Sequence, residues 1–172
     1  MNIEQRLIKG NLKFVKKSII SKRRKEQIAK LANCQKPFAL VITCSDSRVV
    51  PEEIFSCTLG QLFVIRTAGN VINEGELASI EYGIEHLHIN YVLVLGHTHC
   101  GAVHAAIHDE KGKYLSPILD NIKQSICGEC DERKASIKNA IKQVEYIKSK
   151  FPDYQGEIKA ALYDIETWKV LF

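Results

Sequence analysis

The sequence predicts an α/β protein. Its expected architecture is a mostly parallel central sheet with an antiparallel edge strand, helices on both faces and an N-terminal helical arm. Three observations carry this. Short apolar runs without polar alternation, "FALVIT" (38–43), "QLFVIRT" (61–67) and "YVLVLG" (91–96), read as strands buried on both faces. Helical stripes separate them, and such alternation of β and α builds a parallel sheet under helices. Two further runs, "IKAALYD" and "WKVLF", are joined by "IET" and read as a closing hairpin.

Taken in order, the chain opens with helices expected at about 2–18 and 22–33. Ile3, Leu7, Ile8, Leu12, Val15 and Ile19 recur at helical spacing and form a stripe to bury. After the first strand, Pro51 starts a short helix, proline being well suited to the first helical turn. Asn73 with Glu76 three residues later resembles a capping box, and Leu77, Ile80, Ile84 and Leu87 continue as a helical stripe. "GAVHAAIH" follows the third strand, and amphipathic segments at about 116–126 and 133–150 complete the helices. No repeat, low-complexity segment or linker interrupts the 172 residues, which fit one domain with a helical arm over 1–35 and an α/β core over 36–172.

Composition narrows the class. Apolar residues make up 45% and charged residues 26%, as in ordinary globular proteins. Apolar runs of five or six residues do not span a membrane, and no secretory signal is visible, so the expected setting is cytoplasmic. Residues 1–36 carry eleven Lys/Arg against two acids, leaving thirteen against eighteen in the remainder. A basic arm is one signature of nucleic-acid binding, but the apolar stripe favours a charged face on a packed helix, and no nucleic-acid partner is expected.

The chemistry gathers at strand ends. In open α/β sheets, ligands bind beyond the carboxyl ends of the strands, where Cys44 and His97 both fall. His97-x-x-Cys100 has good zinc-ligand spacing, and Cys44 offers a third donor. Two thiolates and one imidazole suit zinc, and three protein ligands with one open position is the catalytic pattern. A lone Cys at a strand end is more often a small core residue. Cys127 and Cys130 form a C-x-x-C that would close a four-ligand structural zinc site with His97 and Cys100, or act as a redox pair. Asp46 and Arg48 flank the Cys44 turn. A guanidinium fork fixes one carboxylate orientation, so Arg48 would hold Asp46 off the metal, and its release would let Asp46 become a fourth ligand.

"CSDSRV" (44–49) paired with "GHTHCG" (96–101) resembles the β-class carbonic anhydrases, and "LFVIRTAGNVI", "SIEYGIEHL" and "ALYDIET" extend the resemblance over nearly the whole chain. It implies one zinc per subunit on Cys44, His97 and Cys100, with Asp46 and Arg48 as the catalytic dyad. It also implies substrate-binding positions at Gln35, Phe63, Ala68, Tyr82 and Gly101. The implied reaction is reversible hydration of carbon dioxide to bicarbonate and a proton by a zinc-bound hydroxide, with activity rising through about pH 7 to 9. Asp46 would accept from that hydroxide and relay its proton, and His99 and His104 are candidate shuttles unless they simply face solvent. The implied assembly is a homodimer or dimer-based tetramer whose N-terminal helices embrace the partner, with the active site at the interface. Gln35 points to the type whose site is open at neutral pH.

The chain departs from the family pattern at Trp168, where relatives commonly have Gly, in a shorter 108–135 region, and at the C-x-x-C. Three alternatives share parts of these motifs: a same-fold zinc hydrolase acting on carbonyl sulfide or carbon disulfide, a structural-zinc interaction protein, and a nucleic-acid binder using the basic arm.

Overall fold

The computed structural model describes residues 2–172, with the backbone alone at positions 18–20 and 23. The chain divides into two compact units, Met1–Lys36 and Pro37–Phe172.

The first unit holds helices α1 (Ile3–Ile20) and α2 (Lys22–Leu31). Asn2 caps α1 reciprocally: its Oδ1 accepts from the Gln5 N–H at 2.8 Å, and its own N–H donates to Gln5 Oε1 at 3.1 Å. Ser21 separates the two helices, with its Oγ accepting the Arg24 N–H. The predicted stripe is present but not buried: Ile3, Leu7, Ile8, Leu12 and Val15 all stay exposed. Ile19 lies outside the described side chains.

The second unit is built on a five-stranded sheet: β1 (Ala39–Cys44), β2 (Leu62–Thr67), β3 (Tyr91–His97), β4 (Glu157–Tyr163) and β5 (Val170–Leu171). Its order is β2-β1-β3-β4-β5, with the first four parallel and β5 antiparallel to β4. The helices between strands are α3 (Pro51–Ile54), α4 (Glu74–Glu81), α5 (Gly101–Ile107), α6 (Ser116–Ile126) and α7 (Glu132–Lys150). The Asn73 N–H donates to Glu76 Oε2 at 2.9 Å, as the capping-box spacing predicts. A π-helical turn, Tyr82–His86, prolongs α4.

Residue alternation in the central strands sorts the core onto two faces. Leu40, Ile42, Val92 and Val94 pack with Ile80 of α4 and Ala140, Val144 and Ile147 of α7. Val41, Leu93 and Leu95 point the other way, against Val49, Ile54 and Phe55. That second face also carries an apolar cavity of about 430 Å³ lined by Phe38, Val41, Phe55, Leu62, Leu93 and Phe172, among others.

The strand order creates a topological switch point. From β1 the chain moves outward to β2 and then returns to the opposite side of β1 as β3. Connections leave β1 and β3 in opposite directions, opening a crevice at their carboxyl ends. Cys44 closes β1 and His97 closes β3, each as the last strand residue rather than one beyond it. Thr43 pairs with Leu95 in this register, and its hydroxyl donates to the Leu95 carbonyl at 2.8 Å.

Candidate metal centre

Cys44, His97 and Cys100 converge at the switch point, their ligand atoms all within 4.8 Å of one another and all three residues buried. Cys44 Sγ lies 3.9 Å from Cys100 Sγ. His97 Nδ1 lies 2.9 Å from the Thr98 carbonyl oxygen, an acceptor only, so Nδ1 carries the proton. That leaves the Nε2 lone pair for the cluster, and Nε2 is buried without a hydrogen-bond partner. A buried imidazole nitrogen rarely goes unpaired in a folded protein, and a metal ion explains it at this position.

Sulfur chemistry agrees. The Cys44 thiol is lowered to about 4, chiefly by its contact with the Cys100 sulfur; the backbone N–H groups of Asp46 and Gly69 assist, while burial opposes. Cys100 is pushed up, first by that same contact and then by burial, although the N–H groups of Val103 and Ala102 favour its thiolate. The pair therefore shares one proton, and a divalent cation would displace it. Gly69 donates its N–H to Cys44 Sγ at 3.3 Å from a left-handed backbone conformation, φ 62°. A Cβ there would meet Ile122 Cδ1 at 2.7 Å, so glycine is needed both for the turn and for the close approach.

Beside the cluster, Arg48 grips Asp46 with its fork. Nε donates to Oδ1 at 3.0 Å, Nη2 to Oδ2 at 2.7 Å, and the Arg48 backbone N–H to Oδ1 at 2.9 Å. Arg48 Nη2 also reaches the His99 carbonyl at 3.0 Å, tying the β1 loop to the β3 loop. This pairing drives the Asp46 carboxyl down from its ordinary 3.8 to about 2. The Asp46 carboxylate is not a member of the three-residue ligand group.

The other predicted positions separate. Ala68 directly follows Thr67, which pairs with Cys44, and so lies at the cluster's edge; Gly101 follows Cys100. Phe63 and Tyr82 stand together, ring centroids 6.1 Å apart. Phe63 pairs with Leu40, four residues back along β1 from Cys44, which is about 13 Å at strand rise. Gln35 is exposed and belongs to the first unit. Cys127 and Cys130 are exposed and belong to no ligand group among the described residues, so the four-ligand alternative with His97 and Cys100 does not form. His99 is exposed near Glu166, and His104 is hydrogen-bonded to Glu132.

Two supporting residues escaped the sequence reading. Arg66, inside β2, donates Nε to the Cys44 carbonyl at 3.2 Å and Nη2 to the Asp46 carbonyl at 2.6 Å, so it shapes the loop that carries both. Its signal was a lone charge within an apolar strand. Thr98 accepts the His97 ring proton at its carbonyl and the Ile165 N–H at its hydroxyl, anchoring the β3 loop to the end of β4. It had no signal beyond its place between two histidines.

The chain is similar to known proteins in sequence and in fold. A family model described as carbonic anhydrase matches residues 39–170. Carbonic anhydrase 2 of Mycobacterium tuberculosis is 45% identical over 103 residues, covering 57% of this chain and 50% of that protein. The chain spans about half the length of the curated relatives it matches. Among solved structures, the β-carbonic anhydrase CcaA superposes with a TM-score of 0.81 at 31% identity, covering 99% of this chain and 94% of that one. One of two tetrameric β-carbonic anhydrases from Sordaria macrospora gives a TM-score of 0.79 at 25% identity, covering 98% and 94%. With the family model covering most of the second unit and the strand-end cysteines and histidine assembled at the switch point, the chain belongs to the β-carbonic anhydrase family.

Proposed function

We propose that the chain catalyses the reversible hydration of carbon dioxide to bicarbonate and a proton, using one zinc ion per subunit held by Cys44, His97 and Cys100. The observation that carries this is the unpartnered, buried Nε2 of His97 facing two thiols 3.9 Å apart. Zinc held there would supply a Lewis acid that lowers the pKa of a water to roughly 7.

The chain's own residues do the rest. Arg48 keeps Asp46 turned to itself, which supports an open site with the carboxylate outside the ligand set. A carboxyl lowered to about 2 is a weak base near neutrality. Asp46 therefore serves as a fixed acceptor that orients the reacting water's O–H, and the proton passes on to solvent or buffer rather than resting on it. Gly101 and Gln35 are assigned to bicarbonate, through a backbone N–H and a side-chain amide respectively, and Ala68 to the wall beside the reacting carbon.

Phe63 lies too far along β2 to reach the metal centre of its own chain, and Tyr82, in the π-helical turn after α4, packs beside it. Together with the exposed α1 stripe and the open apolar sheet face, this supports a homodimer or dimer-based tetramer in which they serve a partner's site. The wild type should then sediment as a dimer or larger, and Leu7→Glu with Leu12→Glu should yield smaller species; a monomeric, fully active wild type contradicts the assembly. All six cysteines are unpaired, which supports a reducing, cytoplasmic setting; among the described residues no helix is long and apolar enough to cross a membrane.

Zinc stoichiometry combined with stopped-flow hydration of carbon dioxide tests the function. Wild type should hold one zinc at this centre and gain activity through about pH 7 to 9, and Cys44→Ser should lose both metal and activity. Zinc that survives Cys44→Ser, with no hydration by the wild type at alkaline pH, would overturn the proposal.

A further inference from the structure

The described residues hold one other cluster of metal-ligating side chains: His104, His108 and Glu132. None of its members belongs to the centre above: His104 sits one helical turn beyond Cys100, its N–H donating to the Cys100 carbonyl at 2.9 Å, and His108 is the C-cap of the same helix. His104 in α5 and His108, the C-cap of that helix, are four residues apart, the spacing that places two side chains on one helical face, and the His108 N–H donates to the His104 carbonyl at 3.1 Å. Their rings meet at 4.2 Å between centroids. Glu132, the first residue of α7, brings Oε1 to 2.6 Å from His104 Nδ1. The three ligand atoms all lie within 4.8 Å of one another. A plain hydrogen bond between helices accounts for His104 with Glu132, but it gives no reason for a second imidazole to join them.

We propose that His104, His108 and Glu132 form a second, surface site for a divalent transition-metal ion, bridging α5 and α7. Two imidazoles and one carboxylate suit Zn²⁺, Ni²⁺ or Cu²⁺, whereas Mg²⁺ and Ca²⁺ prefer all-oxygen sets. The site differs in kind from the buried centre. It has no thiolate, and both histidines are exposed, so water completes the coordination and binding is weaker. An ion there would take the place of the proton between His104 and Glu132 and pin α5, which begins just after Cys100, to the start of α7.

The test is calorimetric titration of Ni²⁺ into the full-length, zinc-loaded protein. One further ion should bind per chain. His108→Ala and Glu132→Gln should each weaken it by about tenfold or more, while the zinc already bound stays in place and reports an intact fold. Cys127→Ser with Cys130→Ser should leave Ni²⁺ binding unchanged. Absence of a further ion, equal binding by the His108 and Glu132 variants, or loss of binding only in the double cysteine variant each overturns the site. Because Cys44→Ser addresses the buried centre alone, failure of either proposal is read separately.

Discussion

Two aspartates in this molecule are each held by an arginine, Asp46 by Arg48 at the end of β1 and Asp164 by Arg133 at the end of β4. Both carboxyls fall from 3.8 to about 2, with the arginine side chain as the leading cause in each case. Their surroundings differ. Asp46 takes both arms of a fork from a residue two positions away, and only one further bond, from the Arg48 backbone. Asp164 takes a single 2.6 Å contact from a residue 31 positions away, while its other oxygen accepts the N–H groups of Glu166 and Thr167. Remove the arginine side chain, and Asp46 keeps one backbone bond on one oxygen while its other oxygen is released, whereas Asp164 keeps both bonds of its turn. The same ion pair thus aims a carboxylate in one place and fastens a loop to a helix in the other.

Of the two pairs, the larger effect should come from Arg48→Ala, which releases Asp46 Oδ2 beside the ligand cluster. We expect kcat/KM for carbon dioxide hydration to fall on the order of 10²-fold, as a misplacement of about 1 Å in a reacting group costs. Arg48→Lys should recover only part of this, because an ammonium cannot reproduce the fork. Unchanged kinetics in Arg48→Ala would remove the distinction between the two pairs. Arg133→Ala should act on stability and leave kcat near wild type. A carboxylate depressed in the folded state contributes stability above its unfolded value, and that contribution is lost as pH falls through the folded value. The gap in stability between wild type and Arg133→Ala should accordingly be full above about pH 4 and vanish towards about pH 2, as acid unfolding followed by circular dichroism would show. A gap that grows on acidification would contradict the assignment.

Much of this was legible in the sequence because it depended on local pattern. Unbroken apolar runs marked β1 and β3, and their reactive endings marked the centre before any neighbour relation was known. Cys44 and His97 proved to be the final strand residues, a shift of one position that periodicity does not resolve. Long-range partners left little trace. Arg66 reaches across 22 residues to the Cys44 carbonyl, and Gly69 reaches 25 to its sulfur. The distance of Phe63 from the centre follows from strand register, which composition does not encode. The α1 stripe was recognised as apolar, but periodicity says only that a face should be buried and not that the same chain buries it. Trp168, noted as a departure from glycine, takes φ 60° in the turn beneath Asp164, with its indole exposed. That backbone region costs a non-glycine residue about 1–2 kcal/mol, a cost that glycine would not carry.

The central claim is that Cys44, His97 and Cys100, and no other side chains, hold the metal on which the chemistry depends. X-ray absorption at the zinc edge of protein carrying a single zinc tests it most directly. The account predicts two sulfur ligands at about 2.3 Å and two lighter ligands at about 2.0–2.1 Å, with one sulfur lost from any zinc that Cys44→Ser retains. A shell of three or four sulfurs, or a two-sulfur shell unchanged in Cys44→Ser, would contradict it.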